Sequence, residues 1–145
     1  MSLVSDITTA IETAITAILP PFQKSQYIWD TTKNSESKNR LFFAIRPGSA
    51  SFVSGTCRTI TLEQNFEVEF GDSFKNRLDK DADANDKVMA LYEAHETLYR
   101  EIMRNNFNIG RVQVVANLDI SQPEVDNENK VCRIVATYTV RYRTE

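Results

Sequence analysis

The spacing of apolar residues predicts two amphipathic helices. From Val4 to Ile18 apolar side chains recur every three or four positions, and Pro20 ends the pattern because proline lacks a backbone donor. This predicts a helix over roughly residues 3–19. A broader apolar stripe with the same period predicts a second helix over residues 83–107, with His95 on its apolar side.

Alternation of apolar and polar residues predicts three long strands. The clearest is TITLEQNFEVEF at residues 59–70, where Phe66, Val68 and Phe70 share one face and glutamates lie on the other. RVQVVANLDIS at 111–121 and KVCRIVATYTVRYRTE at 130–145 show the same period. Period two over such lengths indicates strands with one buried and one solvated face.

Shorter signals fill the region between the first helix and the first long strand. The apolar run Leu41–Ile45 predicts a buried strand, and residues 27–29 could begin another. Residues 46–49, Arg-Pro-Gly-Ser, have the composition of a turn.

These elements predict an α+β fold: two helices packed on one face of a mainly antiparallel β-sheet, with a long C-terminal β-hairpin. The hairpin would carry a protruding acidic loop at residues 122–129. No repeat or linker composition interrupts the chain, so residues 1–145 are expected to form a single domain.

Composition limits the classes of function. The 145 residues carry a formal net charge of -3, which argues against affinity of the whole protein for nucleic acid. The sequence shows neither an apolar run long enough for a membrane span nor a signal-peptide pattern. Cys57 and Cys132 are far apart and lack metal-binding spacing, so two free thiols are expected.

No motif predicts catalysis, a cofactor or a metal. His95 is the only histidine, and its helical neighbours are apolar, so a core position is expected. Asp79, Asp81 and Asp83 have the spacing of an EF-hand start, but Ala84 and Ala90 occupy the required glycine and glutamate positions. The chain is therefore predicted not to be an enzyme.

Two charged rows are the candidate sites, as interfaces with a subunit or partner. The acidic row is Glu63, Glu67 and Glu69, and the basic row is Arg111, Arg133, Arg141 and Arg143. Paired carboxylates for glycoside hydrolysis are one interpretation of the acidic row, and a solvated or subunit-facing row is the favoured one. For the arginines a solvated face, a subunit interface and nucleic-acid contact all remain open. Rows left unpaired within one subunit could meet those of the next.

The order of elements resembles the tail terminator proteins of long-tailed bacteriophages. The resemblance covers the N-terminal helix ending at Pro20-Pro21, the stretch RPGSASFVSGTCRTITLEQNFEVEFGDSF, the helix with LYEAHETLYREIM, and the hairpin ending VRYR. It implies a non-enzymatic virion protein of the tail or neck, assembled in the host cytoplasm. Its partners would be other copies in a hexameric ring, the tail tube protein and head–tail connector proteins, with neither sequence-specific nucleic acid nor membrane.

Two other interpretations stay open beside this resemblance. Other head–tail joining or neck proteins are also small and rich in sheet. A stand-alone module that binds a peptide or nucleic acid through its sheet would fit the same elements.

Overall fold

The computed structural model describes residues 3–31, 41–56, 58–74, 78, 80–105 and 112–144, of which residues 113–118 are described by their backbone only. These residues form two helices and six strands. In chain order these are α1 (Leu3–Ile18), β1 (Gln23–Lys24), β2 (Leu41–Gly55), β3 (Ile60–Ser73), α2 (Asp81–Asn105), β4 (Val112–Ile120), β5 (Glu124–Asp126) and β6 (Val131–Thr144).

The predicted α+β fold is confirmed. The strand order is β1-β2-β3-β6-β4, with β5 also beside β6, and only the short β1–β2 pair is parallel. Both helices pack on one face, called the inner face here. Its core combines Ile7, Ile11 and Ile15 of α1, Leu91, His95 and Leu98 of α2, and Phe66, Val68, Phe70, Ile134, Ala136 and Tyr138 of the sheet.

The long C-terminal hairpin is also confirmed, with one change at its acidic loop. β4 and β6 pair from Val112 opposite Tyr142 to Ile120 opposite Ala136. Part of the predicted loop is the strand β5, which continues the pairing with β6, and only residues 127–130 form the turn. Lys130 has a φ of 56°, and the Asp126 side chain accepts a hydrogen bond from the Asn129 backbone. The loop is therefore shorter than the sequence predicted.

The turn predicted at residues 46–49 is wrong. These residues lie within β2, which runs on to Gly55 and pairs with β3. The register shifts between Pro47 and Ala50, so the proline and glycine sit at a bulge instead of a chain reversal. Proline is tolerated there because no strand follows the outer edge of β2 at this point in the described chain.

The strand predicted at residues 27–29 is wrong as well. β1 lies earlier, at Gln23–Lys24, and residues 25–31 then cross the sheet on the face away from the helices, called the outer face here. Under this crossing segment Phe42 is fully buried, and its ring occupies the space that a Cβ on Gly71 would need. The first half of β2 is therefore covered on both faces.

One of the two cysteines lies in the described part of the chain. Cys132 is a buried free thiol, and burial raises its pKa to about 11, so it stays protonated. Cys57 lies outside the described residues.

Neither described helix is long and apolar enough to cross a membrane.

Candidate functional site: a charged groove and an exposed arm

Arg46 organises the charged part of the outer face. Its Nε donates to Glu67 Oε2 at 3.0 Å, and its Nη2 donates to Glu69 Oε1 at 3.0 Å. Its Nη1 donates to the Ile28 carbonyl at 2.8 Å, which ties down the crossing segment. A buried guanidinium is tolerated because its planar fork reaches several acceptors at once.

Arg133 makes the second set of contacts to the same surface. Its Nε donates to Glu124 at 2.8 Å, across the β5–β6 pair, and its Nη1 donates to the Thr31 hydroxyl at 2.7 Å. Burial would lower the pKa of Arg133, but the hydrogen bond that it donates to Glu124 and the negative charge of Glu69 outweigh burial and raise this pKa. The guanidinium therefore stays charged and anchors the other end of the crossing segment.

These two arginines border an open groove of about 320 Å³, called the outer groove here. Its charged and aromatic lining consists of Trp29, Arg46, Glu67, Glu69, Glu124 and Arg133. Three carboxylates face two guanidiniums, so this lining carries one excess negative charge. The Trp29 side chain stands at the rim and is 75% exposed.

Glu69 forms the buried part of this lining. Its side chain is only 2% exposed, and it receives Arg46 on Oε1. Its other oxygen, Oε2, is buried without a hydrogen-bond partner among the described residues. The sequence predicted that this row of glutamates is solvated or faces a subunit, and the solvated alternative is wrong for Glu69, because its carboxylate is buried against Arg46. A buried oxygen without a partner costs about 1–3 kcal/mol, so Glu69 retains capacity to accept a donor.

Glu63, Arg141 and Arg143, which were also predicted for the charged rows, lie on the outer face near the start of β3 and the end of β6. Glu63 accepts from Arg141 Nε at 3.1 Å, and these two residues lie opposite each other on β3 and β6. This part of the two rows is therefore paired within the chain. Arg143 is exposed on the same face, near the end of β6. Arg111 lies outside the described residues.

Beyond the groove the sheet projects as an exposed arm, defined as residues 48–63 with position 57 outside the described part. Every described residue of the arm from Gly48 to Arg58 is exposed, including Phe52 at 67% and Val53 at 40%. Near the tip the Thr56 backbone N–H donates to the Thr59 carbonyl at 2.8 Å. The arm therefore presents apolar side chains without a covering element in the described chain.

The outer edge of β2 along the arm is also unprotected. β1 pairs with β2 only at Phe42 and Phe43, so no described strand lies beside β2 from Ala44 onward. Natural edge strands are usually blunted by charges or prolines, but after Pro47 no charged residue occurs before Arg58. Such an edge is suited to pairing with a strand of another chain.

His95 lies in the core, as the sequence predicted. It is fully buried, its Nε2 is 3.2 Å from the Ile134 carbonyl oxygen, and its ring packs edge-on against Phe70. Burial lowers the pKa of His95 to about 4, so the ring is neutral near pH 7.

Sequence reasoning missed Arg46, Glu124 and Trp29. Arg46 was assigned to a turn, Glu124 to a loop and Trp29 to a strand, so none was expected beside the glutamates. The available signal was Arg46 itself, a charged residue directly after the apolar run of β2 and next to a proline that marks a bulge.

No protein-family model matches the chain, and no curated protein matches its sequence. A functional proposal therefore rests on the outer groove, the arm and the order of elements.

Proposed function

We propose that this chain is a structural virion protein of the tail terminator kind, which assembles into a ring that caps the tail tube and joins it to the head connector. The observation that carries the proposal is the exposed arm with its unblunted β2 edge. Nine consecutive β2 residues, Pro47–Gly55, are exposed, although the strand begins in the core. Long uncovered strands of this kind are usually paired in an assembly.

A ring needs two different complementary surfaces on each subunit, and the chain offers candidates for both. The arm edge of β2 lies at one side of the sheet, while β4 ends the strand order at the other side within the described chain. Joining such edges from copy to copy is a heterologous contact, which closes into a ring when the rotation allows. By its resemblance the ring is a hexamer, located in the virion and in contact with tail tube and connector proteins.

Light scattering on a size-exclusion column, followed by negative-stain microscopy, tests this proposal. We expect a mass of several subunits and ring-shaped particles. The variant Val53→Lys, which places a charge on the arm, should shift the mass toward the monomer. Met89→Lys is the matched control, because Met89 is a similarly exposed apolar residue on α2. A wild-type chain that stays monomeric at high concentration would contradict the ring.

Another head–tail joining or neck protein is the nearest alternative and would give the same rings. The stand-alone peptide-binding module is favoured by one observation, the outer groove with its spare acceptor. A monomer that binds basic peptides at this groove would support the module instead.

A further inference from the structure

The outer groove has the chemistry to receive a cationic side chain. Nε, Nη1 and Nη2 of Arg46 and Nε and Nη1 of Arg133 already donate to protein acceptors, whereas Glu69 Oε2 is buried without a partner in the described residues. With one excess negative charge, the lining favours a ligand that brings positive charge and N–H donors. The groove volume of about 320 Å³ equals roughly ten waters at about 30 Å³ each, which leaves room for a guanidinium.

Trp29 also favours a positively charged ligand. Its indole is 75% exposed at the groove rim, a costly position for a large aromatic ring that has no partner to cover it. Tryptophan is the aromatic residue that attracts cations most strongly, and arginine is the cation most often found over it. A guanidinium entering the groove could therefore contact both the indole and the carboxylates.

Arg58 is a suitable cation in the same chain. It is exposed at the tip of the arm, where its backbone N–H binds the Thr56 hydroxyl. Its guanidinium makes no ion pair with any residue that the structure describes. Beside it the arm presents Phe52 and Val53, which are apolar surfaces that the Trp29 rim could cover.

Distance excludes insertion of Arg58 into the groove of its own chain. Glu69 follows Ile60, the first residue of β3, by nine positions, which places these two residues about 30 Å apart at 3.2–3.4 Å per residue, and Arg58 precedes Ile60 at the tip of the arm. Only another copy can bring its arm tip to this groove. The contact would join two different patches, as cyclic assembly requires.

We propose that the outer groove binds the Arg58 side chain of a second copy of this chain, with Glu67 and Glu69 accepting from its guanidinium and Trp29 covering it. The inference rests on the proposed ring, because it names the contact that orders neighbouring subunits. It assigns the groove and the arm tip to opposite sides of one interface.

Trp29 makes the groove directly measurable, because it is the single tryptophan of the chain. The experiment uses full-length Arg58→Gln protein, whose groove is free of the natural occupant, and a peptide of residues 50–61 with Cys57 replaced by serine. We expect the peptide to change the tryptophan fluorescence. The same peptide with glutamine at position 58 should bind at least about tenfold more weakly, since hydrogen bonds to charged groups contribute about 1.5–3 kcal/mol.

Two groove controls accompany the titration. Glu67→Gln should weaken the arginine peptide, because Glu67 is a half-exposed acceptor in the groove. Glu96→Gln should leave the binding of the arginine peptide unchanged, because Glu96 pairs with Arg100 on the exposed side of α2. Equal responses to the arginine and glutamine peptides, or to a scrambled arginine peptide, would overturn Arg58 as the occupant.

The oligomer separates this inference from the proposed function. Arg58→Glu should dissociate the ring, while the matched charge reversal Arg104→Glu on α2 should leave it intact. If wild type and Arg58→Glu form the same rings, the inference is wrong and the proposed function stands. If wild type is monomeric, the proposed ring is wrong, and the peptide titration still decides whether the groove recognises Arg58.

Discussion

Two phenylalanines of the same sheet have opposite surroundings. Phe66 on β3 is fully buried beneath the helices, whereas Phe52 on β2 in the arm is 67% exposed. Both lie in the antiparallel β2–β3 pair, each beside a register shift, Phe66 opposite Pro47 and Phe52 opposite Leu62, so strand pairing does not separate them. The difference is cover: helices and the crossing segment enclose one half of the sheet, and no described element encloses the arm. The closed half stabilises the fold, and the arm is available for another chain.

The largest expected effect on stability is that of replacing Phe66, in contrast to Phe52. Phe66→Ala should lower the free energy of unfolding by about 3–5 kcal/mol, because it removes buried apolar surface and leaves a cavity. Phe52→Ala should change it by less than about 0.5 kcal/mol, since the ring is mostly in solvent. Urea unfolding followed by circular dichroism measures both under conditions that keep the protein monomeric. Similar losses for the two variants would contradict the division of the sheet.

A second pair compares the arginines of the outer face. Arg46→Met should cost about 3 kcal/mol or more, because it leaves Glu69 as a buried charge without its partner. Arg141→Met should cost less than about 1 kcal/mol, because its pair with Glu63 is partly solvated. The same unfolding experiment checks both variants. An Arg46→Met variant as stable as wild type would contradict the role of Arg46 in compensating the buried Glu69 carboxylate.

The pH dependence of the free energy of unfolding should arise mainly from His95, in the half of the sheet that the helices cover. Burial lowers the pKa of His95 to about 4, so between about pH 6.5 and 4 the unfolded chain binds a proton that the folded chain does not. Stability should therefore fall as the pH drops through this window, by roughly 3 kcal/mol in all. Denaturant unfolding at several pH values would show a shallower fall for His95→Gln. Identical pH profiles for variant and wild type would remove His95 as the cause.

The smallest effects come from a pair of glycines. Gly71→Ala should cost about 1–3 kcal/mol, because its Cβ would lie 2.2 Å from the Phe42 ring in a packed region. In the arm, the Cβ of Gly55→Ala would lie 3.1 Å from the exposed Phe52 ring, which can move away, and 3.2 Å from the Thr59 carbonyl oxygen, so a cost smaller than at Gly71, below about 1 kcal/mol, is expected. Thermal melting of both variants provides the measurement. A larger loss at Gly55 than at Gly71 would contradict the assignment of the arm as loosely packed.

Much of the candidate site could not be predicted from the sequence. The alternation of β3 placed Glu63, Glu67 and Glu69 on one face correctly, because period two is a local property of a strand. It could not show that Glu69 is buried while Glu63 pairs with Arg141, because burial depends on residues 25–31 and on Arg46. Those residues are more than twenty positions away in sequence, and their contacts follow from sheet pairing.

Patterns in the sequence predict both helices, the three long strands, the C-terminal hairpin and the core position of His95. Each follows from local periodicity, which records the buried side of an element. The three-dimensional arrangement of the chain is needed to show that Arg46-Pro47-Gly48 continues a strand and that residues 25–31 cover part of the outer face. It also brings Trp29, Glu69, Glu124 and Arg133 to one groove. Contacts between distant segments bring these residues together, and no local pattern encodes them.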